Sequence, residues 1–206
     1  MNSCPFSFET LLFHVANLPR HTEEVSDLLV HIGRSARAED AGSELTAAQW
    51  AALRFLARAN RVSRTPSAFA SFQATTRGTA SQCLKALVAR GFLARHQSER
   101  DGRSVRFEVT DRGWDLLEHD PLRHLITAIE RLEASSRAGL VDALAALTAD
   151  LANLRSAPAF GTCYDCSHYN AGRGDTGYCD CVAVDLAPGE VGKLCVHFQH
   201  AGRAAP

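Results

Sequence analysis

Five of the seven cysteines in this 206-residue chain fall in its last quarter, spaced Cys163-x2-Cys166-x12-Cys179-x-Cys181-x13-Cys195. His168 and His197 each follow a cysteine by two residues. A C-x2-C pair lets two thiolates converge on one metal, and later cysteines can close the site. The surrounding tail has Gly161, Gly172, Gly174 and Gly177 and few large apolar residues (Phe160, Tyr164, Tyr169 and Phe198). So short a segment buries little core of its own, and a bound metal would supply folding energy. A zinc ribbon offers two C-x2-C knuckles, whereas the second half here has C-x-C and then a distant single cysteine. Thiolates on separate loops suit an iron–sulfur cluster, either [4Fe–4S] or [2Fe–2S]. The alternatives are structural zinc with Cys/His ligands and a disulfide or free-thiol redox switch. Cys163, Cys166 and Cys195 have no near substitutes, and the fourth place goes to Cys179 or Cys181, with Cys179 preferred. His168 and His197 are read as supporting or surface residues, Cys83 as core, and Cys4 as a terminal thiol without a role.

A second set of residues suits nucleic acid. From Arg54 to Arg106 the chain carries eleven basic residues against two acids, Glu99 and Asp101, a surplus of nine inside a protein of net charge −1. The remainder is therefore acidic, and one basic module stands apart. Within it, Thr79, Ser81, Gln82 and Lys85 lie on the polar side of a helix whose Ala80, Cys83, Leu84, Leu87 and Val88 point inward. Such a face can enter a major groove, where Gln pairs with an adenine edge and Lys and Ser reach guanine or phosphate. Arg100, Arg103 and Arg106, at a hairpin tip, would straddle the neighbouring backbone, one of them entering a narrow A·T minor groove. Counterion release makes arginines on one face count for more than the charge of the whole chain. A winged domain used only for protein contact is the plainer alternative, but acids are missing from the whole module and not merely from its tip.

The elements that must position these groups are mostly helical. Leu11, Leu12, Val15, Leu18, Val25, Leu28, Leu29 and Ile32 recur at helical spacing and pack on their own domain or on a twin helix of another subunit. Pro19 starts a second helix or kinks a long one. Thr46-Ala-Ala-Gln49 is a capping box leading into Trp50, Leu53, Leu56 and Ala57. Thr65-Pro66 and Thr76 begin two more helices, and Gly91 stops the last. The period then alternates: Phe92–Arg95 and Val105, Phe107 and Val109 read as two strands around Asp101-Gly102. After Thr110-Asp-Arg-Gly113, helical spacing resumes through Trp114, Leu117, Leu125, Ile129 and Leu132, interrupted at Pro121. A last stripe runs Leu140, Leu144, Leu147, Leu151 and Leu154, and Ser156-Ala-Pro-Ala159 breaks it. Three short helices followed by a basic-tipped hairpin is the order of a winged helix-turn-helix.

With those residues in view, the chain resembles the MarR family of bacterial transcriptional regulators. The resemblance is carried by Leu45-Thr46-Ala-Ala-Gln49-Trp50, by Thr79-Ala-Ser81-Gln-Cys-Leu84-Lys-Ala-Leu87-Val-Ala-Arg90-Gly91-Phe92-Leu93, by Asp101-Gly-Arg103-Ser and by Val109-Thr110-Asp-Arg-Gly113. It covers roughly residues 20 to 155, about two thirds of the chain. It implies a homodimer joined by its terminal helices, with two winged modules reading a near-palindromic operator on double-stranded DNA. On that pattern Thr79, Ser81, Gln82 and Lys85 belong to the recognition helix, Asp101 braces the wing, and Arg103 is the minor-groove arginine. Gln82 stands where many relatives have arginine, and the Phe- and Ser-rich stretch 65–76 also departs from the pattern.

The expected fold is thus mainly α with a small β-hairpin wing, dimerisation helices at both ends and a small cysteine-rich metal-binding tail. The expected domains are N-terminal dimerisation helices (1–40), the winged helix (41–113), C-terminal dimerisation helices (114–156) and the cysteine extension (157–206). No run approaches the roughly 18 apolar residues of a membrane span, and the N-terminus does not read as a secretory signal, so a cytoplasmic protein with no membrane partner is expected. Thiol-exchange enzymology lacks a strand-and-helix setting for its C-x2-C, and no nucleophile–base pair or phosphate loop is evident. The expected function is a sequence-specific DNA-binding transcriptional regulator, a repressor in the manner of the family, whose operator binding the cluster modulates by redox sensing or metal loss. The alternative is a small-molecule-responsive regulator with a purely structural zinc.

Overall fold

The computed structural model describes residues 20–36, 43–97, 105–172 and 177–201. Helix α1 (Arg20–Ser35) is the first described element, and Pro19, where a helix start or a kink is expected, lies outside the described residues. The expected stripe residues Leu11, Leu12, Val15 and Leu18, and Cys4, lie outside the described residues. On α1 the rest of that stripe, Val25, Leu28, Leu29 and Ile32, is exposed within the single chain.

Helices α2 (Ala47–Arg58), α3 (Pro66–Phe72) and α4 (Arg77–Ala89) each start at a threonine. At α2 the capping box is complete: the Gln49 amide donates to Thr46 Oγ1 at 3.3 Å, and the Thr46 amide donates to Gln49 Oε1 at 3.0 Å. Thr65 Oγ1 accepts from the Ala68 amide and Thr76 Oγ1 from the Thr79 amide, each satisfying a donor that a helix start leaves unpaired. Helix α4 closes through Gly91, whose φ of +77° strongly favours glycine. That turn lets the Phe92 amide reach the Leu87 carbonyl at 3.0 Å.

Strands β1 (Leu93–Gln97) and β2 (Val105–Val109) pair antiparallel, Leu93 opposite Val109 and Gln97 opposite Val105. Their inward residues join Trp50, Leu53, Phe55, Leu56, Phe69, Leu84, Leu87 and Phe92 in one core. Each such large side chain contributes roughly 1.5–3 kcal/mol by leaving water. Helix α5 (Asp111–Leu117) starts earlier than the apolar spacing suggests, because Thr110 caps it by accepting from the Gly113 amide at 3.2 Å. Gly113 therefore lies inside α5, where a Cβ would sit 2.4 Å from the Phe92 carbonyl oxygen.

Pro121 falls in the turn before α6 (Arg123–Glu130), and α7 (Ala134–Leu154) follows. Neither helix buries a residue in its own chain, and Ile126, Leu140, Leu144, Leu147 and Leu151 stay exposed. Among the described residues no helix is long and apolar enough to cross a membrane.

The described part of the tail holds a 3-10 turn (Cys163–Asp165) and a three-stranded antiparallel sheet of β3 (Tyr169–Asn170), β4 (Tyr178–Cys179) and β5 (Val184–Asp185). Sequence periodicity does not predict these strands, since two residues are too few to alternate. Cys163, Cys179, Leu186 and Val191 make its small core. Although the tail follows α7 in sequence, Phe160, Leu194 and Val196 pack on the winged-helix core.

Candidate nucleic-acid interface and thiol cavity

On α4 the caps and the apolar stripe fix which side faces out. Ala80, Leu84 and Leu87 are buried, whereas Thr79, Gln82 and Lys85 are exposed and Ser81 is half-buried. Cys83 is partly buried against the core, with its thiol 3.5 Å from the Ala48 carbonyl, and burial raises its pKa. Ser81 and Lys85 line a concavity shared with Arg95 of β1 and with Val105 and Phe107 of β2. A largely apolar trough edged by Lys85 and Arg95 therefore runs between α4 and the hairpin. Arg106 alternates with the core-facing Val105 and Phe107, so it lies on the hairpin face away from α4, opposite His96. Arg100, Asp101 and Arg103 lie outside the described residues.

Part of the basic surplus is taken up in internal pairs. Arg54 forms a two-pronged ion pair with Asp120, a half-buried link between α2 and the turn before α6. Arg64 lies 3.8 Å from Glu108 and donates to the Ala59 carbonyl at 3.1 Å. Arg90 pairs with Glu44 at 3.2 Å. These guanidiniums hold the fold, so the charge offered to a polyanion is smaller than the sequence count.

In the tail, Cys163, Cys166, Cys179 and Cys195 line one cavity of about 270 Å³. Cys181 is exposed and does not line it, and His168 and His197 stand on its wall. All six described cysteines carry free thiols. Burial, then the neighbouring Cys195, Cys166 and Cys179 and the Glu190 carboxylate, push the Cys163 thiol up to about 11. Burial, then Cys179, Cys195 and Cys166, raise Cys181 as well. Thiolates this close repel unless a cation sits among them. Among the described residues no three His, Cys, Asp or Glu side chains are arranged to hold a metal ion.

The cavity is shared with the winged domain, since Asn60, Arg61 and Val62 of the turn after α2 also line it. Leu194 lies beside Ala59 as in a parallel ladder: its amide donates to the Arg58 carbonyl at 2.8 Å, and its carbonyl accepts from the Asn60 amide at 2.9 Å. The tail thus satisfies a carbonyl that the end of α2 leaves open. The Val196 amide donates to Ser63 Oγ at 2.9 Å, and the Arg61 amide donates to Glu190 Oε2 at 2.6 Å. Phe160 meets Phe55 and Phe72 edge-on, with centroids 6.0 and 5.2 Å apart. Sequence reasoning did not single out Asn60, Ser63 or Glu190. The only signal was a polar turn, Asn60-Arg-Val-Ser63, which carries no information about a partner 133 residues away.

Residues 43–104 match the profile of the MarR family. A MarR transcriptional regulator from Methanosarcina mazei Go1 superposes with a TM-score of 0.50 at 18% identity, covering 64% of this chain and 99% of its own. The transcriptional regulator SlyA gives 0.49 at 17% identity over 65% and 94% of the two chains. FabT of Streptococcus pneumoniae, solved in complex with DNA, gives 0.46 at 20% identity over 72% and 99%. No curated protein matches the chain significantly. Residues 43–104 of this chain therefore carry the sequence pattern of the MarR family, within a winged-helix fold shared with a solved MarR regulator.

Proposed function

We propose that the protein is a homodimeric, cytoplasmic, sequence-specific DNA-binding transcriptional regulator, acting as a repressor, and not an enzyme. The observation that carries this is the surface of α4: Thr79, Gln82 and Lys85 point outward while the same helix is anchored by Ala80, Leu84 and Leu87. Ser81, Lys85 and Arg95 add polar and basic groups along the trough beside it. In this reading α4 enters the major groove, Gln82 reads a base edge, and the wing follows the neighbouring backbone with Arg100 and Arg103, braced by Asp101. Arg106, on the outer side of the hairpin, would reach phosphate and not the groove read by α4. The apolar faces of α1 and α7 support pairing with a second copy, which would place two α4 helices on a near-palindromic operator. Selection of bound duplexes from a random pool tests the reading; recovery of no enriched sequence would overturn it.

The same reading gives the tail an iron–sulfur cluster that modulates operator binding. Four thiols from separate loops lining one cavity support this reading, since such thiolates suit a cluster larger than a single ion. Cys163, Cys166, Cys179 and Cys195 would hold the cluster, with Cys181 outside. Iron, zinc and sulfide counted per chain on anaerobically purified protein decide this point. A second reading is supported by a separate cavity of about 530 Å³ between α2, α5 and α6, lined by Arg54, Phe55, Phe72, Leu117, Leu122 and Ile126. Its largely apolar walls, edged by Arg54, Arg58 and Asp120, suit a small aromatic effector, with a colourless zinc site in the tail.

A further inference from the structure

The tail follows the long helix α7, so chain order alone suggests that events at the thiols would be felt in the dimerisation helices. The bonding pattern points elsewhere. Both neighbours of Cys195 are bonded to the turn that follows α2: Leu194 to Arg58 and Asn60, and Val196 to the buried Ser63 hydroxyl. The Cys195 amide itself donates to the Gly161 carbonyl at 2.9 Å, and the Cys163 amide to the Val191 carbonyl at 2.9 Å. The frame that holds two of the thiols is therefore bonded to the winged domain on one side and closed on itself on the other. Helix α7, by contrast, buries nothing in its own chain.

The far side of this turn faces the DNA-reading elements. The Phe107 amide of β2 donates to the Arg64 carbonyl at 3.0 Å, and the Arg64 side chain lies near Glu108. The next residue, Thr65, caps α3, whose Phe69 is buried in the core shared with α4. The Ser63 amide donates to Asn60 Oδ1 at 3.0 Å, which ties the two ends of the turn together. Cys195 is thus connected to the wing strand by alternating peptide links and hydrogen bonds, through Val196, Ser63, Arg64 and Phe107.

We propose that residues 59–65 are the coupling element: occupancy of the four-thiol cavity sets the position of this turn and, through Arg64 and Thr65, that of the wing and α4 of the same chain. The inference rests on the reading that the cavity holds a metal centre. When the centre is present, Cys195 is tethered and the Leu194 and Val196 bonds are held. When it is lost, that segment keeps only its hydrogen bonds and the packing of Leu194 and Val196 on the core, and the turn gains freedom that the wing shares.

Hydrogen exchange on the full chain tests this, comparing protein reconstituted anaerobically with ferrous iron and sulfide against the same protein stripped of metal. The expected result is exchange at least tenfold faster, after stripping, at the amides of Asn60, Ser63, Phe107, Leu194 and Val196, with residues 134–154 unchanged. Acceleration confined to 134–154, or none at the turn, overturns the coupling while leaving a metal-binding regulator intact. A chain that takes up no iron or zinc at all sinks the metal reading, and this inference with it. As a second arm, Ser63→Ala removes the acceptor for Val196. The variant should retain the wild-type iron content, while the difference in operator affinity between loaded and stripped protein shrinks to within about twofold. A full wild-type difference in that variant overturns the role of the turn.

Discussion

Arg54 grips Asp120 through two hydrogen bonds, its Nε donating to Oδ2 at 2.5 Å and its terminal nitrogen to Oδ1, across 66 residues of sequence. Asp120 Oδ1 also accepts from the Leu122 amide at 2.8 Å, so one carboxylate joins α2 to the turn that launches α6. The pair fixes how the winged domain meets the helices that would form the dimer. Breaking one partner leaves the other half-buried and unmatched. Asp120→Ala should lower unfolding free energy by about 2–3 kcal/mol, less than for a fully buried pair because both side chains keep some solvent contact. Urea denaturation measures it, and replacing both residues by apolar ones should recover most of the loss.

Gln82 and Lys85 sit on the same exposed side of α4 but should fail differently. Gln82→Ala should relax preference at a single base step by about 1–3 kcal/mol, because it removes a base-edge contact. Lys85→Ala should weaken all sequences alike and reduce the salt slope of binding by about one, as expected for a lost phosphate contact. Binding measured across salt concentrations on matched and mismatched operators separates the two.

Cys179 lines the cavity with the other three thiols and Cys181 does not. Cys179→Ala should therefore abolish retention of iron and sulfide, whereas Cys181→Ala should leave both at the wild-type level. Metal analysis with visible absorbance reads the outcome, and equal loss in the two variants would show that the ligand set is wrong.

Leu144 and Leu151 lie exposed on α7 of the isolated chain. A face of this kind is expected to be covered by a partner. Leu144→Glu with Leu151→Glu should yield a monomer by light scattering. Loss of the second half-site contact should then lower operator affinity on the order of 100-fold or more.

Much of this molecule could be read from the chain directly. Thr46, Thr65 and Thr76 begin helices because a threonine hydroxyl caps whichever helix follows it, and Gly91 ends one because its backbone tolerates the left-handed region. The wing was legible from alternation, and α4's outward residues from a stripe three and four residues apart. The start of α5 is set locally by the Thr110 cap, but that Gly113 within it has no room for a side chain, a Cβ there meeting the Phe92 carbonyl oxygen at 2.4 Å, is something no local pattern reveals.

The cysteine spacing announced a site but not its composition or its place. Spacing alone only leans toward Cys179 over Cys181; in the fold Cys179 ends strand β4 with its thiol lining the cavity, whereas Cys181 lies in the turn between β4 and β5 and is exposed. Likewise Arg54, Arg64 and Arg90 count as free charge in the sequence and become internal partners of Asp120, Glu108 and Glu44 in the fold. Local order is set by neighbours along the chain, through caps, periods and turns. Which thiols share a cavity, which arginines remain for DNA, and that the tail bonds to the turn 59–65 depend on contacts between residues distant in sequence. Only packing brings such residues together, and there the chain alone is silent.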